Sequence, residues 1–456
     1  GGNTAVGLNS LLSTTTGASN TAVGCGSLQA NTTGTENVAV GQLALTTNTT
    51  GDENTAVGRY SLGANTTGEK NTALGHSTVE NNTTGDFNVG IGHGALQANT
   101  TADNNTAVGV AALDGNTTGA SNTAIGRDTL GANTTAGENT AVGYKSLEVN
   151  TTGGANSSFG RGALQSNTTG CRNVAVGTNA LNANTVAIQN TAVGYIAGCR
   201  LNATGGAGGG NTIMGYNTKG PTTGDSNTII GADAGGGGMT SGACNALIGG
   251  SAGGNLTTGT LNIAIGHDAG GCATTGSCNI SLGYKALTHS TGALNTIQIG
   301  MGDGINKFIG GGDNTVRIGK RTANICNNFA SNATWVHASD LRYKKDIQDN
   351  TIGLDFINAL RTVNYKWKAQ SELDSSLNEY DSSKITADSV SLQHGLIAQE
   401  VKQVMDDQGV SLEFAGWSED ETHPNSKQGI SEAMFVYPLI KAIQELTKRV
   451  KELEDK

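Results

Sequence analysis

A 17-residue phrase, close to N-T-A-V-G-x-x-S/A-L-x-x-N-T-T-G-x-x, recurs through most of this chain. Its opening Asn stands at Asn3, Asn20 and every seventeenth residue up to Asn190. A looser series follows at Asn211, Asn227, Asn245, Asn262, Asn279, Asn295 and Asn314. Self-similarity at a short fixed period means that each copy is one coil, able to bury its apolar side chains only by stacking on the next. The residue three after the Asn is apolar (Val6, Val23, Val40, Leu74, Ile91), and the residue eight after it is almost always Leu (Leu11, Leu28, Leu45). Short β-branched runs favour strands over helices. Gly and Asn supply the bends, because both tolerate positive φ. The expected coil is two short strands and two turns, with the Val line and the Leu line inside, in parallel ladders with a rise of about 4.8 Å per coil.

Two apolar anchors per coil is little for a free-standing solenoid, so apolar surface is expected to be shared between chains wrapped around a common axis. The N-T-A-V-G and A-L positions of residues 1 to 320 resemble the repeats of trimeric autotransporter adhesin heads, N-S-V-A-I-G-x-x-A. That resemblance implies a trimeric parallel β-roll.

Composition separates two regions. Of 456 residues 69 are Gly and only 3 are Pro, with 4% aromatics. Charged side chains crowd the end of the chain, which places a domain boundary near residue 335. The net charge of −10, with no basic stripe, argues against nucleic acid as a partner. No apolar run is long enough to span a membrane, so no membrane insertion is expected. The chain starts inside a repeat and without Met, so an attachment region is expected to precede it. The seven cysteines show no metal-binding spacing and suit small buried thiols. Cys244 and Cys278, two coils apart, are too distant for a bridge. The N-T-T triplets match the glycosylation pattern, but Asn is expected to serve the turn and Thr the ladder.

Four segments follow: a regular shaft over 1–189, a Gly-rich irregular solenoid over 190–294, a closing β cap over 295–338, and a charged domain over 339–456. The last opens S-D-L-R-Y-K-K-D, continues to H-G-L-I-A-Q-E-V, and ends in a helix begun by Pro438. Leu439, Ile443, Leu446, Val450 and Leu453 are spaced 4, 3, 4 and 3, a heptad seam over about 438–456. Fewer than three heptads are marginal alone, so this helix needs partners. His394 and Glu400 have no third ligand at metal spacing, and packing is their expected role; no metal or other cofactor is expected.

In this order, S-D-x-R-x-K, H-G-x-I-A-Q-E-V and a terminal heptad helix resemble the intramolecular chaperone domain of endosialidase-type phage tailspikes. The resemblance implies a domain that trimerises a fibre, guides its folding and then cuts itself off. Carried over, Ser339 is the nucleophile, Lys344 the general base and Ala338–Ser339 the scissile bond, with Asp340 and Arg342 in support. The chemistry is consistent with that pairing. A Ser hydroxyl needs a base within hydrogen-bond reach, and a Lys can serve only if burial or neighbouring cations such as Arg342 and Lys345 lower its pKa.

The expected fold is mainly β: a trimeric parallel β-solenoid shaft of 17-residue coils, then a small α+β domain ending in a short trimeric coiled coil. The expected function is a viral fibre, of a phage tail, on the virion surface and outside the host cell. Its partners would be two further copies, a virion or tail attachment protein at the N-terminal end and a host receptor. A bacterial adhesin would need membrane-barrel strands at its C-terminus. A depolymerising tailspike would need a carboxylate cluster that is missing. An ice-binding solenoid would need a flat T-x-T row, whereas the paired Thr here fall in a turn.

Overall fold

The computed structural model describes residues 1–202, 208–236, 238–287, 291–302, 308–309, 313–320, 324–328, 336–337, 347–373, 382–383, 392–410, 414, 416–419 and 428–456. The chain divides into two compact units, Gly1–Ala338 and Ser339–Lys456. The first is a parallel β-solenoid of 17-residue coils. Its ladder runs from the strand Thr4–Val6 to Thr315–Lys320, each strand paired in parallel with its counterpart one coil on, as Thr21 with Val38 and Val23 with Val40. No helix among the described residues is long and apolar enough to cross a membrane.

The coil differs from expectation in three ways. Strand alternation puts the middle residue inside, so Ala22, Ala39 and Ala56 are fully buried while the Val line points outward. The second strand is absent from the regular coils. The Leu arm is a run of turns in which Leu43 and Leu45 both have positive φ (58° and 49°). Bulky residues seldom adopt this left-handed conformation, at a cost on the order of 1–3 kcal/mol each. Here the arm sends its N–H groups alternately to the two neighbouring coils, Leu43 N–H to Cys25 O and Leu45 N–H to Ser61 O, and Leu45 is fully buried. Among the described residues a second strand pair forms only near the end, between Ala286–Leu287 and Phe308–Ile309. The Gly after the outward Val is obligatory: at Gly41 (φ 139°) a Cβ would lie 2.6 Å from the Gly58 carbonyl oxygen of the next coil.

The third difference concerns Asn. Both Asn positions lie fully buried inside the coil, where they form two continuous ladders. In one, Asn54 donates its backbone N–H to Asn37 Oδ1 (2.9 Å) and its Nδ2 to Gly68 O (2.8 Å). In the other, Asn48 Nδ2 donates to Asn31 Oδ1 and to Gly51 O, both at 2.9 Å. The Asn of the N-T-T triplets is thus an interior spine. The Thr beside it bonds along the stack as expected, with Thr32 Oγ1 donating to Thr49 O. Cys25, Cys244 and Cys278 are exposed, against the expectation of buried thiols.

From Asn190 the coil length becomes irregular: 21 residues to Asn211, 16 to Asn227 and 18 to Asn245, then 17 again. Apolar bulk crosses the coil here. The middle strand residue grows from Ala to Ile213, Ile229 and Leu247, while the Leu arm thins to Gly220, Gly235 and Gly253. A Cβ on Gly253 would sit 2.7 Å from Leu247 Cδ1, so the glycines make room for the larger facing residues. The Asn spine ends at Asn279. Ile280 pairs with Ile297, which places Thr296 on the ladder, its N–H and Oγ1 donating to Asn279 Oδ1. Asn295 and Asn314 therefore fall one residue before the ladder positions and pair with each other at the surface. Beyond Thr315–Lys320 the pairing turns antiparallel, with Asn324–Asn328 and then Val336–His337.

The second unit packs helices α1 (Leu354–Ala359), α2 (Ala398–Asp407) and α3 (Val436–Glu454) with two antiparallel pairs, Val363–Tyr365 with Gln393–Gly395 and Trp417–Glu419 with Gln428–Ile430. Its core is Ile352, Phe356, Val401, Met405, Phe414 and Phe435.

Candidate functional site

The helix α3 has two faces. Pro438 and Ala442, four apart, are buried, and so turn one face into the unit. On that side Glu445 Oε2 accepts the Leu354 N–H at 2.9 Å and supplies an acceptor that the first turn of α1 lacks within its own sequence. Gly353 makes the approach possible, since a Cβ there would lie 2.6 Å from that carboxylate. The phenylalanine cluster fixes the base of the helix: Phe435 meets Phe414 edge-to-face at 4.9 Å, and Phe414 meets Phe356 at 5.1 Å.

The other face carries the heptad residues, and all of them are open. Leu439, Ile443, Leu446, Val450 and Leu453 are 43–70% exposed. A helix of 19 residues is about 28 Å long. Its stripe is continuous over that length, where a single helix on a soluble unit would carry polar residues. Val436, Tyr437 and Ile440 widen it at the start.

Elsewhere in the unit, Arg361 on the loop after α1 grips Glu400 of α2 in a forked pair, Nε to Oε2 at 3.0 Å with a second contact from Nη2 to Oε1. The Arg361 hydrogen bond holds the Glu400 carboxyl below the usual range. His394 Nδ1 faces Asn364 Oδ1 across the adjacent strand pair and is exposed. His394 and Glu400 are thus engaged with different neighbours. Among the described residues no cluster of His, Cys, Asp and Glu could hold a metal.

Ala338, Ser339, Asp340, Arg342 and Lys344 lie outside the described residues. The division between the two compact units falls at the bond joining Ala338 to Ser339. Residues 339–410 match the family model Peptidase_S74, chaperone of endosialidase. No curated protein and no solved structure matches the chain.

Proposed function

We propose that this chain is a homotrimeric viral fibre, of the kind carried on phage tails for host attachment, built by its own C-terminal chaperone. The observation that carries this is the chaperone-of-endosialidase match over 339–410, placed directly after a long β-solenoid. The open heptad stripe on α3 supports the trimer, because three such helices bury it in a coiled coil. Near-identical coils pair out of register by a whole coil at little cost, so three chains must start level. The second unit is the part of the sequence distinctive enough to set that start. The N-terminal end would join the virion, and a host surface molecule would be the receptor.

Self-processing belongs to the same proposal. Ser339 attacks the Ala338 carbonyl while Lys344 takes the Ser hydroxyl proton and delivers it to the Ser339 amine as the C–N bond breaks. Water then hydrolyses the resulting ester to free the Ala338 carboxylate and the Ser339 hydroxyl, with Asp340 and Arg342 in support. The expected result is a shaft fragment ending at Ala338 and a released fragment beginning at Ser339, both visible in denaturing mass spectra. Ser339→Ala or Lys344→Ala leaves the full-length chain uncut and still assembled. Cleavage persisting in both variants would sink the dyad and point to an outside protease.

A further inference from the structure

The outward face of the solenoid ladder has an unusual composition. Two columns of side chains stand on it, one at the first and one at the third residue of each strand. From Thr4 to Ile318 neither column contains a charged residue. The third-residue column is apolar in every coil, with Val, Leu, Ile, Phe or Met. It is not covered by this chain: Ile125, Phe159 and Ile299 are each about 40% exposed. Parallel sheets are ordinarily covered on both faces. The column repeats over about eighteen coils and so forms one continuous apolar strip, of the kind that monomers seldom leave open.

The two borders of this face differ in charge. Just before the strands lie Glu36, Asp52, Glu53, Glu69, Asp86 and Asp103, with Lys70 and Arg172 among them. Just after them, beyond the obligatory Gly, lies a column holding Arg59, His76, His93, Arg127 and Arg161. This second column is a true stack, with the His76 and His93 rings 5.2 Å apart and nearly parallel, and Tyr195 on Tyr216 at 5.6 Å. In a parallel ring of copies, the left border of one chain meets the right border of the next, so at the level of Thr55–Val57 Asp52 and Glu53 meet Arg59, whereas Arg127 pairs with Asp128 of its own chain and Arg161 has no acid at its level.

We infer that this face is the lateral interface between copies of this chain, set parallel and in register, with the apolar column at its centre and the two charged borders facing across each junction. Pitch selects the occupant: a surface repeating every coil over so many coils is matched in register by another stack of the same pitch. The borders also select the register. Asp52 and Glu53 of one copy meet Arg59 of its neighbour, whereas a slip of one coil leaves Arg59 a single acid, Glu36 or the Glu69 that stands beside Lys70. This interface rests on the homotrimer proposed above and specifies where its shafts meet.

The test uses the full chain. Cysteine is placed at Ile125 on the face or at exposed Thr118 in a turn, and maleimide labelling is followed peptide by peptide so that native thiols do not count. Labelling at 125 is expected to be at least tenfold slower than at 118. In parallel, Arg59→Glu lowers the melting temperature of the assembly, and adding Glu53→Arg restores it. A native mass of three chains with equal labelling at both positions would overturn this interface while leaving the trimer standing. A native mass of one chain would overturn the trimer and the interface together. Protected labelling without rescue in the double variant would overturn the border pairing.

Discussion

Replacing Ile443 and Leu446 together by Asp is expected to stop assembly outright, with the full-length chain recovered as single copies or aggregate. Both side chains are at least half exposed in the single chain and are not among the buried core residues of the C-terminal unit, so its fold does not depend on them. In a three-helix seam they would meet their own symmetry mates. Six carboxylates would then be drawn into an apolar core, at a cost of several kcal/mol each unless protonated. The seam has fewer than three heptads and no reserve against that cost. Circular dichroism should report an unchanged C-terminal unit, and light scattering the loss of the assembled species. Lys448→Ala, on the same helix but off the seam, should leave assembly intact. If the double Asp variant assembles like the parent, α3 is not the element that starts the trimer.

The second large effect is expected within the shaft, at Asn105→Asp. Asn105 is fully buried. Its Nδ2 donates to Gly119 O (3.0 Å), while its Oδ1 accepts from Asn122 N–H (2.9 Å) and Asn122 Nδ2 (3.2 Å). Aspartate keeps the shape and the acceptor but loses the donor, and sets a carboxylate oxygen against the Gly119 carbonyl. Burial favours the neutral acid, so the folded pKa of the new Asp rises above its unfolded value of about 3.9. The sign then follows: below pH 4 both states are protonated and the loss is small. As pH climbs through the interval between the two pKa values the unfolded state sheds its proton first, and the folded state is progressively disfavoured. At neutral pH the loss should be about 3–5 kcal/mol. Amide exchange in the coils around residues 88–122 should be at least a hundredfold faster than in the parent, with the difference shrinking in acid. Exchange as slow as in the parent at pH 7 would show that the Asn ladder is not what holds the coils.

The outline of the fold could be read from the sequence because period and residue type determine it. The 17-residue recurrence requires stacked coils, and short β-branched runs between Gly and Asn require parallel strands. Hydrophobicity alone ranks Val as the inner residue of each strand, but the structure turns it outward and buries the Ala beside it. The better signal was size. In the regular coils the middle position stays small, as Ala39, Gly90 or Ser158, because a narrow interior admits nothing larger. The neighbouring position ranges from Val to Phe159, as an open face permits. The same distinction applies to Asn: turn residues vary between copies, whereas Asn37 and Asn48 recur because each bonds to its own image one coil away. Composition makes the Leu arm a strand because it does not reveal backbone handedness, whereas Leu45 adopts a conformation its residue type disfavours. The open apolar stripe of α3 is legible in the sequence, since 4-3-4-3 spacing maps directly onto one helix face. The Ser339 and Lys344 pairing rests on motif order, which fixes neighbours along the chain and not distances in space.

The most direct test of the proposed trimer is the mass of the purified protein, measured on one preparation in native and in denaturing conditions. The expected native mass is three times the 46.1 kDa chain, or three shaft fragments ending at Ala338 if processing has occurred, with single chains appearing on denaturation. A native mass of one chain, in a sample whose shaft resists mild heating, would contradict it.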